Sequence, residues 1–485
     1  MNIVFVTSEV AGIYKIGGLA DVSQSLPKAL GKLGHTVTVL LPRYREVESY
    51  GGKHIGDIVV RFSGQTESVS LYELTCADAG VRTIVLDHPL LKEYHSEKIS
   101  EVFTFYSIVA ASLCSDSERY FGVSTDIVHC HDWHTGLVPV LMAPKKCLPG
   151  SSERGKMKNI PTVFTIHNLL YTGNISAELL HRLIGDLDLC DGPGNNIFHE
   201  FSHDKTYTSL LREGLEHATV VSTVSPTYAD EISITHPAPI EDVLVRRKSK
   251  FFGILNGIDM QIWDPQTDGK IQSNYGVQTV DALKKNNKKH LQEILQLPTD
   301  NTFIIGFVGR IEPRQKGIDL VLSILSKIVS DRNIQVIFLG TGEDKTEKSL
   351  LEIATKFPGQ IAFMNRFDDR IAHQIYAGSD ALLVPSKFEP CGLTQLIAMR
   401  YGTLPIVRKT GGLADTVEDG VTGFAFNDYD ADQLRDKICN AYDLWLLHRS
   451  TWSGMMRTSM QRDFSWEQSA AAYVHMYETA LGAIQ

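Results

Sequence analysis

Three loops of this 485-residue sequence carry side chains suited to phosphate or sugar. Lys15-Ile16-Gly17-Gly18 follows the apolar run Asn2 to Thr7. Its two glycines let backbone N–H groups approach an anion at a helix start, and Lys15 adds a point charge. Arg310-Ile311-Glu312-Pro313-Arg314-Gln315-Lys316-Gly317 sets cations between a second apolar run, Phe303 to Gly309, and a helical pattern, which suits a diphosphate clamp. Phe388-Glu389-Pro390-Cys391-Gly392-Leu393-Thr394 puts a carboxylate on a proline-stiffened turn with N–H groups of Gly392 and Leu393 opening a helix. The plainer use of Glu389 is as a helix-capping carboxylate, and Cys391 reads as a packed thiol.

A further polar cluster is His129-Cys130-His131-Asp132-Trp133-His134. Strand alternation turns Cys130 away from its neighbours, which argues against a metal site, so Asp132, Trp133 and His134 are read as polar and stacking contacts for a sugar. His167-Asn168 leaves the next apolar run in the same way. The Asp-x-Asp pairs Asp186/Asp188 and Asp428/Asp430 lie in polar, irregular contexts and are given no metal. Neither G-x-G-x-x-G nor a Walker pattern fits the Lys15 loop, so no dinucleotide or P-loop chemistry is expected.

Loops of this kind need a scaffold that brings strand ends together. Asn2 to Thr7, a helical pattern through Val22, Leu26, Ala29, Leu30 and Leu33, then Thr36 to Leu41 make a βαβ unit, and the same grammar restarts at Asn301 with strand Phe303 to Gly309, a helix over Ile318 to Val329 and strand Gln335 to Leu339. Further strands are expected at 126–130, 162–166, 219–224, 251–255, 360–364, 381–385 and 404–407, mostly between helical patterns, as in doubly wound sheets. In such sheets ligands sit outside the C-terminal strand ends, where these loops lie. The stretch 256–300 lacks a clear buried strand, so the domain junction is placed at its start. Its run Lys284 to Lys289 reads as a solvated helix face. One echo links the halves: Gly17-Gly18-Leu19-Ala20-Asp21 recurs as Gly411-Gly412-Leu413-Ala414-Asp415.

Composition bounds the function. The chain is 43% hydrophobic with a formal charge of −10, which disfavours nucleic acid and anionic membranes but not a neutral polymer. Its seven cysteines are scattered and read as reduced. No basic leader or run of about 20 apolar residues is present, so a cytoplasmic protein without membrane attachment is expected.

Taken in order, Lys15-Ile-Gly-Gly-Leu-Ala-Asp21, His131-Asp-Trp-His134, His167-Asn168, Leu255-Asn-Gly-Ile-Asp259, Gln315-Lys-Gly317, Glu389-Pro-Cys-Gly-Leu-Thr394 and Thr410-Gly-Gly-Leu-Ala-Asp-Thr-Val417 resemble bacterial glycogen synthases and plant starch synthases across nearly the whole chain. The resemblance implies an α/β fold of GT-B type, two Rossmann-like doubly wound parallel-sheet domains facing across a deep cleft. Residues 1–255 would bind the acceptor, 256–464 the nucleotide sugar, and 465–485 would be a helix crossing back onto the first domain. It implies retaining transfer of glucose from ADP-glucose to the end of an α-1,4-glucan such as glycogen, with no metal or pyridoxal phosphate. By the same resemblance Arg310 and Lys316 neutralise the diphosphate, Lys15 joins them as the cleft closes, Glu389 contacts the glucosyl ring, and Asp132, His134, His167 and Asn256 line the sugar site. Gly17, Gly18, Asp21, Cys391, Gly392, Leu393 and Thr394 fall on the donor side, Trp133 and Asn168 on the sugar or acceptor side, and Phe367 is the candidate to stack on adenine.

Two features depart from the family pattern. The Arg310 to Lys316 spacing is one residue longer than in most bacterial members, which makes Arg314 a rival clamp. The acceptor-side segments 103–112 and 201–214 lack the family's usual residues. The alternatives are a UDP-glucose-dependent synthase, a glucan phosphorylase, for which no cofactor-lysine site is seen, and a catalytically inactive glucan-binding scaffold.

Overall fold

The computed structural model describes residues 1–75, 80–143, 159–184, 207–234 and 240–483. By contacts the chain divides into two units, one of Met1–Val224, Ala229–Ile254 and Trp466–Gln485, the other of Ser225–Tyr228 and Leu255–Ser465. The division falls one residue earlier than expected at Leu255 and one later at Ser465. Ser225–Tyr228 goes with the second unit because Ser225 Oγ donates to Pro390 O (2.6 Å) and the Asp415 carboxylate accepts from Thr227 N–H (3.0 Å) and Oγ1–H (2.7 Å).

The first unit is built on a nine-stranded sheet in the order Phe251–Gly253, Val220–Thr223, Thr162–Ile166, Ile127–His131, Asn2–Val6, Thr36–Pro42, Val81–Asp87, Gln65–Leu74, Lys53–Phe62. Asn2–Val6 pairs in parallel with both Thr36–Pro42 and Ile127–His131, so the strand order reverses there. Its core strands are buried on both faces, which is why they read as unbroken apolar runs. The sheet is mixed rather than wholly parallel. Gln65–Leu74 runs antiparallel to both neighbours and forms a hairpin with Lys53–Phe62. Its turn is Ser63-Gly64, both at positive φ (51° and 77°), as a two-residue primed turn requires.

Helix Gly18–Lys32 covers this sheet with Leu19, Val22, Leu26, Ala29 and Leu30 buried. Helix Trp466–Gly482 adds Trp466, Tyr473, Met476 and Tyr477 to the same core, and Tyr477 OH lies 2.8 Å from His129 Nδ1.

The second unit has a six-stranded, all-parallel sheet ordered Ile361–Met364, Ile334–Leu339, Phe303–Val308, Ala381–Val384, Leu404–Arg408, Phe424–Phe426. Here the order reverses at Phe303–Val308. Helix Ile318–Asp331 packs Ile318, Val321, Ile324, Leu325, Ile328 and Val329 inward at helical spacing; Leu322, read as inward from the sequence, is only half-buried.

The lysine run does not form a uniformly solvated face. In helix Val280–Ile294, Lys284 is buried and its Nζ reaches Tyr376 O, Ala377 O, Tyr401 O and Thr403 Oγ1 at 2.6–3.1 Å. Burial lowers its pKa to about 7, but four oxygen acceptors leave a neutral amine's lone pair without a donor, so the ammonium is retained. Lys288 pairs with Asp380 (2.6 Å) over the Trp445 ring. These two lysines tie loops to the core, Asn287 is buried against Ser273, and only Lys285, Asn286 and Lys289 of the run are exposed.

Candidate active site

In each unit the predicted polar loops gather where the strand order reverses, the usual ligand position of an open α/β sheet. The second unit holds the cations. Glu312 caps the turn Pro313–Lys316 by accepting from Arg314 N–H (2.7 Å) and Gln315 N–H (3.2 Å). The turn is drawn against the end of strand Ala381–Val384 by Lys387 N–H donating to Gln315 O (2.7 Å) and by Gly317 at φ 68°, where a Cβ would lie 2.0 Å from Pro385 O. Lys316 Nζ is thereby set 2.7 Å from Glu389 Oε2, which also accepts from Ser386 Oγ (2.8 Å). Arg310 donates through Nη2 to buried Gln315 Oε1 (2.8 Å), which orients its exposed guanidinium. Arg314, the rival, is exposed.

Glu389 itself is 5% exposed. Its loop is shaped from behind by the second copy of the echo motif: Gly412 N–H donates to Glu389 O (3.1 Å), and Cβ atoms at Gly411 and Gly412 would fall 2.0 Å from Glu389 O and 2.3 Å from Cys391 O. Gln395 Nε2 holds the carbonyls of Cys391 (3.0 Å) and Gly392 (2.9 Å) ahead of helix Thr394–Arg400. Gly392, Leu393 and Thr394 are half-buried there. Burial pushes the Cys391 thiol up to about 12, so it is a packed thiol and not a thiolate. Asn256 is buried, and its Oδ1 has no partner among the described residues. Phe367 stands 83% exposed on the loop after Ile361–Met364. Asp430 caps helix Ala431–Leu447 through Gln433 N–H (2.9 Å) and Asp428 accepts from the Gln433 amide (2.6 Å), so this acidic pair serves the helix start. Asp186 and Asp188 lie outside the described residues, as do 201–206.

In the first unit Asp132 follows strand Ile127–His131 at φ 54°, a positive value rare outside glycine that costs about 1–3 kcal/mol. Its Oδ1 accepts from His167 N–H (2.7 Å) and, more distantly, Asn168 N–H (3.4 Å), so the two predicted loops are joined by one carboxylate. His167 Nε2 meets His131 Nδ1 at 2.9 Å, and His134 Nε2 meets Tyr94 OH at 2.7 Å. Both ring nitrogens of His129 are engaged, by Tyr477 and Thr165. Burial lowers the pKa of His134 and of His167 to about 3, so both rings are neutral at pH 7. Trp133 is not a free stacking platform. It is buried, with His134 stacked 4.2 Å away and Gly173 so close that a Cβ there would lie 2.3 Å from its ring.

The Lys15 loop differs from expectation in one respect: the Gly17 N–H is already taken. It and Ile16 N–H both donate to Glu9 Oε2, each at 2.7 Å. Lys15 Nζ pairs with Asp21 at 2.6 and 2.8 Å, and Gly18 begins the helix. Glu9, Tyr94 and Ser386 were not singled out from sequence, and Gln315 was quoted there within its motif without a role of its own. Glu9 alone carries a signal there, as a carboxylate just past an apolar strand.

Comparison with known proteins decides the family. The profile described as "Starch synthase catalytic domain" matches residues 2–244, and "Glycosyl transferases group 1" matches 288–451. The chain is 36% identical to a glycogen synthase of Desulforudis audaxviator, covering 99% of this chain and 97% of the relative, and 35% identical to one of Thermotoga petrophila, covering 100% of each. The chain belongs to the glycogen and starch synthase family. It is therefore a glycosyltransferase. The catalytic domain of starch synthase IV from Arabidopsis thaliana, solved with ADP and acarbose, superposes with a TM-score of 0.87 at 28% identity over 99% of each chain. Sucrose-phosphate synthase from Thermosynechococcus elongatus, at 18% identity and a TM-score of 0.62 over 99% of each chain, shares the GT-B fold. Among the described residues of this family member, no helix is long and apolar enough to cross a membrane.

One titration in the site is testable directly. Burial, opposed by the two backbone N–H groups, raises Asp132 from the usual carboxylate range to about 7. The folded state therefore keeps a proton between about pH 4, where the unfolded group ionises, and about pH 7. Stability falls as pH rises through that window. Asp132→Asn keeps the acceptor but cannot ionise, so its Tm relative to the parent rises from pH 4 to 7 and then levels. Parallel Tm profiles for the two proteins would refute the assignment.

Proposed function

We propose that this chain transfers glucose from ADP-glucose to the non-reducing end of an α-1,4-glucan, with retention and release of ADP, in the cytoplasm. Carrying this reading is the Lys316–Glu389 pair at the reversal point of the second sheet, beside an anchored Arg310. Two cations there neutralise charge on a departing diphosphate, where preorganised electrostatics contribute most. That supply of positive charge is why no metal is assigned to the reaction, and no pyridoxal phosphate is assigned because the sequence offers no recognisable lysine site for it. The names of the relatives support glucan synthesis, and the ADP in the Arabidopsis structure favours adenine as the base.

Glu389 acts by position. Retaining glycosidases place two carboxylates about 5 Å apart and use one as nucleophile, whereas the Glu389 carboxylate is engaged by Lys316 and Ser386. The acceptor's 4-hydroxyl attacks C1 from the face the diphosphate leaves: the C1–O bond to phosphate breaks, the C1–O4 bond forms, and the hydroxyl proton passes to the departing phosphate. Asp132, His134, His167, Asn168 and Asn256 would hold sugar hydroxyls, and exposed Phe367 the base.

The test is nucleotide release from ADP-glucose and from UDP-glucose, with and without glycogen, in chelator-treated buffer. Glycogen-dependent ADP release that survives chelation and vanishes in Glu389→Ala is expected. Preference for UDP-glucose would overturn the base. Glucan binding without release of either nucleotide would favour the scaffold, and a trapped glycosyl-Glu389 adduct would overturn the mechanism.

A further inference from the structure

We propose that Glu9 is a positioning residue for this reaction, its buried carboxylate fixing the shape in which the Lys15–Gly18 loop meets the donor's diphosphate. The proposal rests on the reading above that this loop is a diphosphate contact.

Glu9 stands three residues past strand Asn2–Val6, is 5% exposed, and accepts both Ile16 N–H and Gly17 N–H on one oxygen at 2.7 Å. Hydrogen bonds to a carboxylate are roughly twice as strong as neutral ones, so these two amides are held firmly. The segment that carries Glu9 is itself pinned. Thr7 Oγ1 lies 3.1 Å from Glu9 O and 2.8 Å from Ser23 Oγ, and Tyr44 OH donates to Ser8 O (3.0 Å). Between Glu9 and the loop, Val10 and Tyr14 exchange backbone hydrogen bonds of 2.9 and 2.8 Å. The seven residues after Glu9 therefore form a closed turn whose exit is gripped by the residue at its entrance.

That grip has a chemical consequence. With Ile16 and Gly17 engaged, the N–H groups left to meet a phosphate are those that start helix Gly18–Lys32, whose N-cap Gly17 supplies no side-chain cap. Helix starts favour anions, and Glu9 decides which amides are offered. Burial raises the pKa of Glu9 while the two amides lower it, and the Glu9 charge is felt at Asp132.

A double-mutant cycle with Lys15 separates positioning from mere stability. Glu9→Ala is expected to lower donor kcat/KM by about 100-fold, the usual effect of a misplacement near 1 Å, with acceptor KM unchanged. Glu9→Gln, which keeps one acceptor oxygen, loses less. In a Lys15→Ala background Glu9→Ala should change kcat/KM by no more than about twofold, the scatter of independent effects, because the loop it shapes no longer carries its charge. Val69→Ala, which truncates a buried side chain of strand Gln65–Leu74 outside the core cluster that holds Val10 and Tyr14, controls for stability through its Tm and keeps its activity. Full additivity of the Glu9 and Lys15 losses, or a Val69→Ala loss matching Glu9→Ala at equal Tm, would overturn the proposal. Normal kinetics in Lys15→Ala alone would instead remove the diphosphate reading, and this proposal with it. Should Glu9→Ala fail to fold, Glu9→Gln is run through the same cycle.

Discussion

Lys316→Ala lowers turnover by about 100- to 1000-fold, the usual cost of removing one preorganised charge from a developing anion. It also lowers Tm, because Lys316 is the cationic partner of a carboxylate only 5% exposed. Stripping one member from a buried pair costs about 3–5 kcal/mol; with the Lys316 side chain 23% exposed, the loss falls below that range. The two effects come apart in Lys316→Ala/Glu389→Gln. Neutralising Glu389 removes the stranded charge, so Tm recovers towards that of the parent while turnover stays low. Normal turnover in Lys316→Ala would dismiss the phosphate clamp, and a double variant no more stable than the single would dismiss the pair as a stabilising contact.

Gly411→Ala should damage stability and activity together. At φ 45° an alanine pays about 1–2 kcal/mol for the left-handed backbone, and its Cβ would sit 2.0 Å from the Glu389 carbonyl, an overlap that forces a backbone shift costing about 1–3 kcal/mol. The atom displaced belongs to Glu389 itself, so turnover falls by about 100-fold. Gly420→Ala supplies the contrast: φ is 76° but nothing lies within 4 Å of its Cβ, so it pays for strain alone and keeps its turnover. Equal kinetics for the two variants would show that the Gly411 contact does not set the Glu389 loop.

Much of this was legible in sequence because strands buried on both faces announce themselves as apolar runs. Asn2–Val6, Ile127–His131 and Phe303–Val308 fall within a residue or so of their predicted places, and the loops after them gather as chemistry-bearing loops should. The hairpin 53–74 was missed although its signals were present. Ser63-Gly64 is a turn pair, and Ile58, Val60 and Phe62 are buried in alternation, but a sheet expected to be parallel left no place for it. Composition misled at Lys284, since six neighbouring polar residues look alike until helix Val280–Ile294 points one of them at four oxygens. Other site features have no one-dimensional signature. The Asp132 link to His167 joins residues 35 apart in the chain, and its positive φ falls on a residue whose type does not demand it. The Gly17 N–H was taken as free because the sequence cannot show which carboxylate folds back onto it.

Helix Trp466–Gly482 gives the molecule an order of assembly. Its tryptophan, tyrosines and methionine complete a core otherwise made by residues before 255, yet a ribosome supplies them only after more than two hundred intervening residues have emerged. Domains generally fold as units during synthesis. The second unit, whose own core lies within Ile258–Met460, can therefore mature on the nascent chain while the first waits for its last helix. Until then the place of Tyr477 beside His129 is vacant, and the strand that leads into Asp132 lacks its outer cover. The acquisition of a finished Asp132 site thus waits on the synthesis of helix Trp466–Gly482.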